Sequence, residues 1–422
     1  MGTGRDPSDA DGARADRGAI LVLPTVAAGQ LGPVAAWVST AGWASALRRA
    51  LGAAWVVTPV GVLTPDELRR RASAASLTAD SAPRPGRRVP VVVKTAVKDA
   101  REWQRARSFR VDRAGPWTGH RVACVWQRHE LFHTAGTRLA RELGVPSVIF
   151  IPAPLVWQAE QWGVKRPGWG RWIERVGERV PLRSADVVAC GSEAVAEQVR
   201  RIGVDEGRIV ITPTGADSEV FGVTPDRDGM RAQLGLGDRF VVGWVGSFRR
   251  FHALDGAVDA MSGLDGATLL LVGDGPERAR LEQLARERNV PVVFTGTVPH
   301  DSVPGYLAAM DVALVLAGKE QAFHYSPLKL AEYLTAGLPV IAPRAGSLPD
   351  QLRDDVDALL VQPGDPADLA RSLRRLQAEP AVRERLSRAA RAVAAERWSW
   401  DGSAAKVLSA LAVEPMRSEP DS

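Results

Sequence analysis

Along the chain, short unbroken apolar runs alternate with longer stretches in which apolar positions recur at helical spacing. Glycine or proline breaks the pattern at intervals of about 15 to 25 residues, the rhythm of strands alternating with helices in a parallel sheet. In the first half this predicts strands at 19–23, 54–58, 89–93, 122–126, 147–151, 185–190 and 210–212. Helices are expected at 33–51, 63–75, 131–143 and 193–202, while 94–118 carries no readable period. The second half predicts strands at 240–245, 268–272, 292–295, 312–316, 340–342 and 358–361 with helices between them, helical turns through 367–398, and a last amphipathic helix at 401–412. Two sets of about six strands each imply an α/β protein of two doubly wound, Rossmann-like domains facing an interdomain cleft.

Length agrees, because 422 residues are too many for one hydrophobic core. The expected division is a disordered tail at 1–17, a first domain at 18–222, a second at 223–398, a helix at 399–412 returning to the first domain, and a polar tail at 413–422. The polar start has no apolar stretch of a signal peptide, which points to the cytoplasm. The net charge of +5 comes from scattered arginines without an aromatic platform, so nucleic acid is not an expected partner. Contact with an anionic membrane surface stays open. The segment 152–181 holds Trp157, Trp162, Trp169 and Trp172 among basic residues and reads either as an interfacial or acceptor-covering element or as core anchors. Cys124 and Cys190 sit in apolar strands and read as buried thiols, and no cysteine or histidine spacing suggests a metal.

The densest chemistry lies at 324–343, HYSPLKLAEYLTAGLPVIAP. Ser326 is a good cap and Pro327 suits a first turn, so a helix should open there and stop at Gly337. A helix start offers free N–H groups and a partial positive charge to a phosphate. Lys329 adds a full charge, and lysine is rare here, 6 of the 54 basic residues. Glu332 follows nearly one turn later. A cation with free N–H groups can hold a diphosphate while a carboxylate accepts two ribose hydroxyls; the alternative is an ordinary amphipathic helix with a solvated pair. Other small-residue loops follow strands: 24–32 around Gly29, Gly246 with Arg249 after it, and Gly273-Asp274-Gly275-Pro276. The last lacks the third glycine of a dinucleotide fingerprint, which removes the main support for a nicotinamide enzyme. Arg128 and His129 close the strand at 122–126 on the side where ligands gather, His133 reads as helix surface, His300 as a capping-loop residue, and Asp226-Arg227-Asp228 as linker without metal.

In order and spacing, VGDGPERARLEQLA, FTGTVPHDSVPGYLAAMDVAL, SPLKLAEYLTAGLPVIAP and VQPGDPADLA resemble the family 4 glycosyltransferases of the GT-B fold. So does SADVVACGSEAVAEQVRRIGV with ITPTGAD, where Thr214 replaces the usual asparagine, and the likeness spans about 18–412. It implies a retaining transferase that moves a sugar from a nucleoside diphosphate, its substrate rather than a cofactor, without metal, to a glycan, lipid-linked or small-molecule acceptor, working in the cytoplasm or at the inner face of the membrane. Carried over by position, Glu332 resembles the ribose ligand, Leu328 and Lys329 the phosphate-binding N–H groups, Arg249 the phosphate clamp with His252 in place of its usual lysine, Val298 a base contact, and Gly29 a remnant glycine loop. The family's first glutamate falls at His324, and its first-domain histidine within Gln127–His129. The implied catalytic set is Arg249, Lys329, His129 and Arg128. The donor set adds Gly246, Gly273, Asp274, Gly275, His324, Ser326 and Pro327. The departure at His324 keeps a second reading open, a non-catalytic GT-B subunit that binds nucleotide sugar, and a nucleotide-sugar epimerase is a third.

Overall fold

The computed structural model describes residues 17–25, 34–76, 90–161, 163–319 and 327–414, which fall into two compact units. In the first, strands β1 (Arg17–Val22), β2 (Ala53–Thr58), β3 (Gly61–Leu63), β4 (Arg121–Arg128), β5 (Ser147–Ile151), β6 (Val187–Cys190) and β7 (Ile209–Ile211) form one sheet in the order β3-β2-β1-β4-β5-β6-β7. Every pairing is parallel except β2 with β3, a hairpin the sequence pattern did not reveal. β5 and β6 are buried at every residue, as strands covered on both faces must be. The strand order reverses direction between β1 and β4, which leaves a topological switch point at their carboxyl ends.

Two expectations for this unit change. Instead of a strand at 89–93, helix Val91–Ser108 runs through the stretch that showed no period. Val91, Val92 and Val93 are β-branched yet exposed, and Thr95 and Asp99 one turn apart supply the buried contacts, so packing overrides local preference. Helix Ala135–Leu143 begins after His133, which lies buried in the preceding loop. The last helix, Trp400–Ala410, belongs to this first unit: Trp400 meets Trp43 at 5.6 Å between ring centroids and Asp401 pairs with Arg49 at 2.8 Å.

In the second unit, β8 (Phe240–Val245), β9 (Ala267–Val272), β10 (Val292–Phe294), β11 (Val312–Leu314), β12 (Val340–Pro343) and β13 (Leu359–Val361) form an all-parallel sheet in the order β10-β9-β8-β11-β12-β13. Successive side chains serve opposite faces. Val241, Leu270 and Ala313 pack with Leu330, Tyr333 and Leu334 on one side; Val242, Leu269 and Leu314 pack with Leu254, Val258 and Leu373 on the other. The switch point here lies between β8 and β11. The stretch around Asp226-Arg227-Asp228, expected as linker, contains two short helices, Ser218–Phe221 and Arg227–Gln233. Asp226 caps the second of these through Gly229 N–H, and Arg227 and Arg231 hold Asp311. Among the described residues no group of side chains could hold a metal ion, and no helix is long and apolar enough to cross a membrane.

Candidate functional site

At the carboxyl edge of the second sheet, three loops are laced together by their backbones. Gly246 N–H donates to Val272 C=O (2.9 Å), Phe248 N–H to Asp274 C=O (2.8 Å) and Gly273 N–H to Gly296 C=O (3.0 Å). A Cβ on Gly273 would lie 2.0 Å from the Gly246 carbonyl oxygen, so only glycine lets the loops after β8 and β9 touch. Asp274 serves this lacing, accepting from Gly275 N–H and pairing with Arg278, both at 2.7 Å.

Helix Leu328–Thr335 follows β11 and starts beside this edge, with Pro327 in extended conformation before it. In its first turn Leu330 N–H donates to the Pro327 carbonyl at 3.0 Å, and the N–H groups of Leu328 and Lys329 precede the first bond of the helix. The helix is tied to β8 by Tyr333, whose hydroxyl accepts from Val245 N–H at 2.8 Å. Lys329 is partly exposed as a residue, yet its Nζ stands 3.6 Å over the centre of the Trp244 ring and beside Gly246. Loss of hydration lowers its pKa to about 7, against a small opposing pull from Glu332. His252 packs edge-on to the same ring at 5.1 Å. Burial, then the charges of Lys329 and Arg249, push its pKa far down, so it is neutral. Arg249 is exposed at the head of this loop. The result is a cationic rim around one tryptophan at the β8/β11 switch point, where α/β sheets bind ligands.

Glu332 is 6 % exposed, and its Oε1 lies 2.8 Å from His300 Nε2. Phe221 packs edge-on to the imidazole. His300, read from sequence as a capping residue, is thus a member of the site that sequence reasoning missed; so are Trp244 and Tyr333. An aromatic two residues before the glycine loop was a usable signal for Trp244. Nothing local pointed to His300, which is 32 residues from its partner. Val298 is partly buried against the core at the same edge. Gly29, His324 and Ser326 lie outside the described residues, as does Trp162.

The first unit treats its candidates differently. Arg128 ends β4 and donates to Ser39 Oγ at 3.0 Å; Glu130, 4.0 Å from it, accepts the Thr25 hydroxyl at 2.6 Å. These residues bridge the β1 and β4 ends at that sheet's switch point. The His129 side chain is fully buried, with Nε2 3.3 Å from Glu178 Oε1. Glu178 in turn accepts from Leu155 and Val156 N–H and so closes the start of helix Leu155–Gln161. Gln127 and His133 are buried as well, linked by the Gln127 amide donating to the His133 carbonyl at 2.8 Å.

A family model described as Glycosyltransferase Family 4 matches residues 45–220, and one described as Glycosyl transferases group 1 matches 239–379. A 2-deoxystreptamine N-acetyl-D-glucosaminyltransferase of Streptomyces fradiae is 33 % identical over 46 % of this chain and 48 % of its own length. The sulfoquinovosyl transferase of Arabidopsis thaliana is 30 % identical over 64 % and 52 %. The chain thus spans about half the length of the curated relatives it matches. Among solved structures, the Anabaena protein HepE in complex with UDP superposes with a TM-score of 0.63 at 18 % identity, covering 93 % of this chain and 99 % of that one. With two parallel-sheet units that each match one of these models in chain order, the chain belongs to the family 4 and group 1 glycosyltransferases of the GT-B fold.

Proposed function

We propose that the protein transfers a sugar from a nucleoside-diphosphate sugar to an acceptor hydroxyl with retention of anomeric configuration and without a metal. The observation that carries this reading is the Lys329 ammonium over Trp244 at the start of helix Leu328–Thr335, beside the Gly246 loop. The donor's diphosphate lies on that helix start, and Glu332 accepts the ribose hydroxyls with its second oxygen while His300 holds the first. As the anomeric C–O bond breaks, its electron pair stays on the phosphate oxygen, where Lys329 and Arg249 counter the charge. The acceptor oxygen forms the new bond and gives its proton to the departing diphosphate. Groups aimed at a developing anion commonly contribute ~10²-fold or more in rate.

In the first unit, Arg128 with Glu130 supplies the acceptor side. His129, enclosed against Glu178, supports the loop after β4 in this reading. A uridine diphosphate donor is the first to try, as HepE was crystallised with UDP. Acceptors of three kinds fit, namely a glycan, a lipid-linked glycan or a small molecule, and with a lipid-linked one the protein works in the cytoplasm at the inner face of a membrane. The test is turnover of Lys329→Ala against a panel of nucleotide sugars: a loss of ~10²-fold is expected, and a loss under about threefold removes Lys329 from the role. Tight donor binding with no transfer or hydrolysis in the wild type would favour a binding subunit instead, the reading that His324 keeps open.

A further inference from the structure

We propose that helix Val91–Ser108 is a docking face for an anionic lipid surface, which gives the membrane contact of the reading above a definite place on the molecule. Of its 18 residues only Thr95 and Asp99 are buried. Val93, Val97, Ala100 and Gln104 follow one another at helical spacing and form one outward stripe, in which Val93 is 48 % and Val97 44 % exposed. Immediately beside it runs a second stripe at the same spacing, Lys94, Lys98, Arg101 and Arg105, all exposed. Trp103, 40 % exposed, closes the other flank with Arg107 stacked on it at 4.7 Å.

The two acids of the helix do not face outward to offset this charge. Asp99 holds Arg166 at 2.8 and 3.1 Å and the Trp169 indole N–H at 3.0 Å. Glu102 turns to His133 at 3.2 Å, and Arg105 reaches it only at 3.5 Å. The Asp99–Trp169 bond also anchors the turn that carries Trp172, 44 % exposed, between exposed Arg171 and Arg175, with Glu174 the one exposed acid there. What faces solvent is therefore a narrow valine stripe edged by tryptophan and by a row of cations. A protein interface would bury a broader apolar core with few charges. A shallow apolar stripe beside a row of exposed lysine and arginine matches the boundary between headgroups and acyl chains of an anionic bilayer.

The test is cosedimentation of the full chain, without substrate, with vesicles of phosphatidylcholine alone or mixed with phosphatidylglycerol. The wild type should partition to the mixed vesicles, weakly to the neutral ones, and less at high salt. Lys94→Glu with Arg101→Glu should lower the partition coefficient roughly tenfold or more, and Val93→Ser with Val97→Ser should lower it at unchanged salt dependence. Thermal unfolding checks that each variant is folded, and nucleotide binding measured separately keeps the donor reading and this one independent. Equal partition of wild type and both folded variants overturns the proposal, as does equal binding to neutral vesicles. A wild-type dimer that Val97→Asp converts to monomer would assign the face to a second copy and overturn it too.

Discussion

Lys329 joins two effects that a pH series can separate. Its folded pKa lies near 7 rather than 10.5 because the ammonium is desolvated against Trp244. The charged form is therefore penalised on folding: the penalty is complete below about pH 7 and fades as pH rises toward 10.5, where the unfolded lysine also loses its proton. Lys329→Met should raise stability most at pH 6 and least near pH 10, which melting curves across that range will check. A bound diphosphate restores the charge, so nucleotide affinity should fall by up to about tenfold per pH unit above 7, and Lys329→Arg should flatten that slope in calorimetry. Glu332→Gln should weaken nucleotide binding about tenfold, the loss of a charge-assisted hydrogen bond of ~1.5–3 kcal/mol. His300→Ala should cost less, and the double variant should fall short of the sum, because the two side chains touch. Lys329 and Glu332 were legible in the sequence since one helical turn relates them. The enclosure of His129 was not legible, for the opposite reason: its partner is Glu178, 49 residues away.

At the scale of elements, the helix that carries Lys329 is fixed through its last turn. Tyr333 ties it to β8, and the chain leaves it through Gly337 at φ +74°, with the Arg391 guanidinium 2.3 Å from where a Cβ would stand. Gly337→Ala should destabilise by ~1–3 kcal/mol in urea unfolding, through backbone strain and displacement of Arg391. The glycine and proline around this helix made its end and the strand after it readable, since each acts on the backbone locally. Helix Val91–Ser108 was unreadable on the same principle. Its inward side is polar, with Thr95 buried and Asp99 and Glu102 holding Arg166 and His133 from elsewhere in the fold, so no apolar period marks it.

For the whole molecule, the alternation of apolar runs located 12 of the 13 strands among the described residues while adding one that is helical, whereas their order in the sheets is set by tertiary pairing. The hairpin strand β3 escaped because three residues carry too little pattern. Cys124 and Cys190 lie in separate strands of the first sheet, and burial pushes both thiols up to about 12. Neither should react with a thiol reagent in the native protein, and both should react once denaturant unfolds the first unit; labelling followed by mass spectrometry measures this. The helix Trp400–Ala410, packed on Trp43, has a further implication. A ribosome makes it only after the entire second unit, so the earlier unit waits, incomplete, for the last part of the chain to be translated. The later unit, continuous from 214 to 399 apart from a short earlier segment, is free to fold meanwhile.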